Sequence, residues 1–158
     1  MTSHDEAERP PAETPFTAFG GEEFFTRLVH GFYERVARDP ILRPMYPDED
    51  LTAAERRLRL FLMQYWGGPQ TYSEERGHPR LRMRHVDFAI DSVARDRWLT
   101  LMHDAVADMD MDPEAEAQLW VYLVSAAFGM QNIPDDPVGR PISVTPSDES
   151  SSDGPARP

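Results

Sequence analysis

The side chains able to do chemistry are few: the chain carries five histidines and no cysteine. His4 lies in an acidic stretch, His30 and His103 sit among polar residues at helical spacing, and His78 precedes Pro79 in a polar loop. His85 differs. With Leu81 four residues before it and Phe88 three after, it falls on the apolar side of a short helix predicted over about 79–88. An inward imidazole has two readings. It is either a core residue with its ring nitrogens hydrogen-bonded, or a neutral ligand that gives one lone pair to a metal and its other N–H to a backbone carbonyl. Spacing alone leaves both open.

Other catalytic constellations are missing. There is no G-x-S-x-G, H-E-x-x-H, G-x-G-x-x-G or P-loop pattern, and the carboxylates mostly occupy helix starts and polar faces. Without cysteine there is no disulfide, thiolate ligand, cysteine nucleophile or thioether attachment of haem, so any cofactor is held non-covalently. All 16 basic residues are arginine, which removes a catalytic lysine and leaves planar forks suited to carboxylates. A formal charge of −12 and an isoelectric point near 4.7 repel phosphate backbones and anionic lipid, so neither nucleic acid nor a membrane is an expected partner.

The elements that must position these residues read as helices. A length of 158 residues suits one domain with flexible ends. Residues 1–15 and 134–158 are rich in Pro, Ser, Asp and Glu, hold no aromatic residue, and read as disordered tails around a domain over 16–133. The start has no apolar run of the kind a signal peptide carries, and a cytoplasmic location is expected. Gly20-Gly21, then Glu22 and Glu23, open a helix whose stripe is Phe25, Leu28, Val29, Phe32, Tyr33 and Val36, ending near Asp39-Pro40. A short helical turn is expected over 40–45. Thr52 with Glu55 predicts a capping box, followed by Leu58, Phe61, Leu62 and Tyr65 up to Gly67-Gly68-Pro69. Residues 70–79 read as a polar, turn-rich loop. Two longer helices follow, over about 92–109 (Trp98, Leu101, Met102, Ala105, Val106, Met109) and about 113–131 (Leu119, Tyr122, Leu123, Ala126, Ala127, Met130). No strand pair is evident, and the fold class is all-α.

The run from Tyr65 to His85, YWGGPQTYSEERGHPRLRMRH, resembles the signature of group II truncated haemoglobins, particularly those of actinobacteria. The likeness continues upstream in Gly20-Gly21, FYERV at Phe32–Val36, MYPDEDL at Met45–Leu51 and ERRLRLFL at Glu55–Leu62, and downstream in RDRWL at Arg95–Leu99. It spans most of Phe16 to about Ile133. The resemblance implies a truncated globin, a two-over-two helical sandwich around one non-covalent haem b, with His85 as the proximal iron ligand. It assigns Tyr33, Tyr46 and Trp98 to the distal side, although singly Tyr33 and Trp98 also read as core. Ala54 stands where conventional globins carry a distal histidine, which leaves hydrogen bonding to the aromatic residues and opens a path past Leu58. Arg57, Tyr72 and Arg84 are the expected propionate contacts, within a cationic group that includes Arg80 and Arg82. Leu58, Phe61, Leu62, Leu81, Phe88, Leu101 and Met102 are the expected apolar slot.

A site of this kind takes dioxygen, nitric oxide, carbon monoxide and, when oxidised, peroxide. Two or three donors would slow oxygen release, because each charge-assisted hydrogen bond contributes roughly 1.5–3 kcal/mol. The expectation is therefore oxygen binding joined to redox chemistry, either nitric oxide dioxygenation or a peroxidase-like reaction, with an unidentified reductase. A non-enzymatic oxygen carrier, store or sensor is the alternative, and a haem-free helical interaction module is the second. Association into a homo-oligomer is left open.

Overall fold

Among residues 13–134, which the computed structural model describes, Thr14 caps the first helix. Its hydroxyl and that of Thr17 cap each other's backbone N–H, and Pro15 takes the first helical position, where a missing N–H costs nothing. Pro15 thus belongs to α1 (Pro15–Phe19), whereas the remaining tail residues 1–12 and 135–158 lie outside the described residues. Gly20 and Gly21, at φ 128° and 69°, turn the chain into α2 (Gly21–Ala37), with Glu22 and Glu23 at its positive end. Its buried face runs from Phe24 to Val36, and Phe25, Leu28 and Phe32 are fully inaccessible. Each contributes about 1.5–3 kcal/mol by leaving water. A 3-10 turn at Arg43–Met45 follows, within the stretch expected to be helical.

Helix α3 (Thr52–Tyr65) ends before Gly67 as expected, but it is capped differently. Thr52 is its first residue and Leu51 its cap, so the Thr52–Glu55 box does not form. Asp50 accepts from the Thr52 N–H at 2.8 Å and its hydroxyl at 2.6 Å, a charged acceptor that outcompetes a hydroxyl, and Glu55 turns to His30 instead. After α3, Gly67 sits at φ 100°, and a Cβ there would stand 2.8 Å from the Thr14 side chain.

The polar stretch read as a loop contains α4 (Thr71–Arg76). It exists because Gln64 of α3 reaches across: its carbonyl accepts from Ser73 N–H at 2.9 Å and its amide donates to the Ser73 hydroxyl at 2.8 Å, while Tyr72 is buried. Helix α5 (Leu81–Arg84) is a single turn, shorter than the 79–88 expected, entered through Arg80 at φ 42° and ended by His85. Helix α6 (Ser92–Ala107) is capped by Asp91, and α7 (Pro113–Met130) by Asp112.

Helix α2 packs on α3 and α6, and α6 on α7, giving the all-α two-over-two sandwich; α1 lies on α2, α4 on α3, and α5 on α7. No helix among the described residues is long and apolar enough to cross a membrane.

Candidate haem pocket

A cavity of about 380 Å³ lies between the helix pairs, within the range of small-molecule sites. Helix α3 contributes Ala54, Leu58, Phe61 and Leu62, the α5 region Leu81, His85, Phe88 and Ile90, and α6 Ala94, Arg95 and Trp98. Tyr122, Leu123, Ala126, Ala127 and Met130 of α7 close the far wall, and Tyr33, Met45 and Tyr46 line it from α2 and the following corner.

His85 is half-buried on this wall. Its Nδ1 lies 2.7 Å from the carbonyl oxygen of Leu81. A carbonyl only accepts, so Nδ1 carries the hydrogen and Nε2 keeps its lone pair, the tautomer an axial ligand needs.

Tyr33 and Tyr46 meet edge to face, with ring centroids 5.6 Å apart, and Trp98 packs against Phe32 at 5.3 Å. Burial pushes the Tyr33 phenol well above its ordinary pKa, and the neighbouring Tyr46 raises it further. Burial raises Tyr46 as well, against the opposing pull of Tyr33 and Arg57. Both phenols therefore remain protonated donors at neutral pH. Two sets of contacts, one buried and one nearer the surface, hold the corner that carries Tyr46. Asp39, 3 % exposed, accepts from the Ile41 and Leu42 N–H groups at 3.0 and 2.8 Å and from Nε of Arg97, the residue before Trp98. Arg43 donates to the carbonyls of Tyr46, Asp48 and Glu49 at 3.1, 2.9 and 2.8 Å.

The structure brings Tyr33, Tyr46, Ala54, Arg57, Leu58, Phe61, Tyr72, Arg84, His85, Phe88 and Trp98 to the same cavity. It does not bring Leu101 or Met102 there. Met102 is fully buried in the core, because the cavity meets only the first turns of α6, at Ala94, Arg95 and Trp98. Arg80 and Arg82 also lie off the wall and exposed; Arg82 donates instead to the Gly129 carbonyl at 2.7 Å, tying α5 to α7. Arg84 lines the cavity while clasping the loop before α5, donating to the carbonyls of Pro79, Arg76 and His78 at 2.6, 2.8 and 3.2 Å. Arg76 and Arg84 stand over the Tyr72 ring at 5.9 and 5.8 Å.

Sequence reasoning missed Arg76, Arg95, Ile90 and the α7 wall. The α7 stripe is visible at helical spacing, with no site role given to it; the signal was the pair of small residues Ala126 and Ala127, which leave volume where two larger side chains would fill it.

Comparison with known proteins agrees with this architecture. Residues 14–132 match the bacterial-like globin family. The Group 2 truncated hemoglobin YjbI of Bacillus subtilis is 44 % identical over 118 residues, 75 % of this chain and 88 % of that protein. The thermostable hemoglobin of the actinobacterium Thermobifida fusca is 63 % identical, superimposes with a TM-score of 0.77, and aligns over 78 % of this chain and all of its own. A truncated oxygen-avid haemoglobin of Bacillus subtilis is 43 % identical with a TM-score of 0.72, covering 76 % of this chain and all of that one. The chain belongs to the bacterial-like globin family, as a group II truncated haemoglobin.

Proposed function

We propose that this chain would hold one haem b non-covalently, with His85 Nε2 as its protein ligand, and would bind dioxygen and other diatomic molecules on the side of the cavity lined by Tyr33, Tyr46 and Trp98. The observation that carries this reading is the His85 tautomer fixed by Leu81. The donor set supports a metal that brings its own ligands: among the described residues no three His, Cys, Asp or Glu side chains converge, so a bare cation has no cage, whereas a macrocycle needs only one imidazole from the protein. The cavity fits such a group, with apolar Leu58, Phe61, Leu81 and Phe88 for its faces and Arg57, Arg76 and Arg84 for two carboxylates.

Bound haem supplies an iron that changes oxidation state and takes a diatomic ligand. The chain's own residues do the rest. Tyr33, Tyr46 and Trp98 would supply O–H and N–H donors to a partly anionic ligand on their side of the cavity. Ala54 donates nothing and leaves an opening beside Leu58. Slow oxygen release suits redox chemistry better than delivery, and the oxygen-avid relative points the same way. The preferred reaction is nitric oxide dioxygenation, in which nitric oxide, dioxygen and one electron give nitrate, with a cytoplasmic reductase returning the electron; a peroxidase-like reaction uses the same donors.

One absorption spectrum tests the central reading. Purified protein is expected to show a Soret band that shifts on reduction and again with carbon monoxide. A colourless protein that cannot be reconstituted with haem overturns it and leaves a haem-free helical module. Mixing the oxygenated protein with nitric oxide then separates the functions: fast stoichiometric nitrate supports the dioxygenase, and its absence supports a carrier or sensor.

A further inference from the structure

The segment after α7 is tied to the loop after His85 by a closed set of hydrogen bonds. Asn132 Nδ2 donates to the carbonyl of Phe88 at 2.8 Å and to that of His85 itself at 3.2 Å, while its Oδ1 accepts from Ile90 N–H at 2.8 Å. The backbone N–H groups of Asn132 and Ile133 both donate to the Ile90 carbonyl, at 2.9 and 3.0 Å. The partners leave no ambiguity in the amide's orientation, since carbonyls accept and the Ile90 N–H donates. The strap is anchored in turn: Gln131 accepts from Arg95 at 2.6 Å and donates to the Ile133 carbonyl at 2.8 Å.

This matters because α5 is a single turn, too short to hold its own shape. His85 ends that turn, so its backbone is constrained on one side by Leu81 and on the other by whatever holds 86–90. Asn132 supplies that second constraint from 47 residues away.

We propose that Asn132 is a positioning residue for the iron ligand: by gripping the His85 and Phe88 carbonyls and the Ile90 amide, it sets the depth and angle at which His85 Nε2 is presented. The inference rests on the haem reading above. Removing an outer-shell partner of a metal ligand typically costs 10–100-fold in affinity, and this partner acts on the ligand's backbone rather than its ring.

The test compares wild type, Asn132→Ala and Asn132→Asp as purified full-length protein. Asn132→Ala is expected to raise hydrogen exchange at the Ile90 amide at least about tenfold, to shift and broaden the ferrous iron–histidine stretch in resonance Raman spectra, and to speed haem transfer to apomyoglobin about tenfold. Asn132→Asp keeps an acceptor for Ile90 but loses both donors, so it retains Ile90 protection in part while matching Asn132→Ala in the Raman and transfer measurements; it also serves where the alanine variant fails to fold. An unchanged iron–histidine stretch and haem-transfer rate in both variants overturns the proposal. A wild-type protein without a Soret band would instead sink the haem reading, and unchanged Ile90 exchange in the variants would then show that the strap holds nothing.

Discussion

The carbonyl of Leu81 accepts from His85 twice, from its backbone N–H at 3.2 Å and from its ring Nδ1–H at 2.7 Å. One turn of helix thereby sets both where the imidazole stands and which nitrogen is free. His85→Ala removes that nitrogen and is expected to leave a folded helical protein that loses most of its Soret absorbance on gel filtration, with added imidazole restoring part of it. Full haem retention by the alanine variant would show that iron is held elsewhere.

Trp98→Phe keeps an aromatic ring against Phe32 and deletes the indole N–H of a residue that lines the cavity. A charge-assisted hydrogen bond of about 1.5–3 kcal/mol corresponds to roughly a 10–100-fold faster oxygen dissociation, read by stopped flow, with the melting temperature unchanged. An off-rate equal to wild type would make Trp98 a packing residue.

Tyr33 and Tyr46 both titrate above the ordinary phenol range, Tyr33 well above it, because burial penalises the phenolate. The O–H donors are therefore intact from pH 6 to 9, and the oxygen off-rate is expected to be flat across that window. Tyr33→Phe should raise the rate at every pH in it. A wild-type rate that climbs between pH 7 and 9 would mean a distal donor loses its proton there.

Asp39 joins the corner before Tyr46 to α6. Burial alone would push its carboxyl up, but the Leu42 N–H, Arg97 and the Ile41 N–H together hold it below the usual carboxylate range. Since the folded pKa is the lower one, its contribution is present above the unfolded value near ~3.9 and disappears as pH falls through the folded value. Asp39→Ala strands Arg97 and two N–H groups and is expected to cost about 3 kcal/mol in urea unfolding at pH 7. The gap between variant and wild type should narrow toward pH 2.

His30 of α2 faces Glu55 of α3 at 3.0 Å and Glu34 at 3.3 Å. The hydrogen bond and charge of Glu55 raise its pKa. A raised folded pKa stabilises fully below the unfolded value near ~6.5, and the effect fades as pH rises through the folded value. With the imidazole 58 % exposed, the effect is a few tenths of a kcal/mol. His30→Ala should flatten the stability curve between pH 6 and 8 and leave it unchanged at pH 9; an identical slope in both proteins would mean the pair is not formed in solution.

Much of the fold was legible because apolar residues recur at helical spacing and because Gly20-Gly21 and Gly67-Gly68 mark real breaks. The stripes of α2, α6 and α7 were read correctly as inward faces; in α3 Leu58, Phe61 and Leu62 face inward, but Tyr65 is exposed and Leu60 and Met63, outside the stripe, are buried. Three features escaped: α1, where no helix was read before Gly20-Gly21; α4, whose local composition is polar and whose Ser73 is held by Gln64; and the true cap of α3, where Asp50 displaces the Thr52 box.

By itself, the sequence determined which face of each helix is apolar, that no cysteine chemistry is available, and that one histidine stands on an apolar face in a motif shared with group II truncated haemoglobins. Only the tertiary structure decided which part of each stripe meets another helix and which part meets empty space. Met102 and Trp98 lie on the same face of α6, one turn apart, yet one is core and the other lines the cavity. Periodicity is a property of one helix, whereas a cavity is where several helices fail to touch. The same distinction separates His85, recognisable in its own segment, from Asn132, whose role depends on contacts across 47 residues.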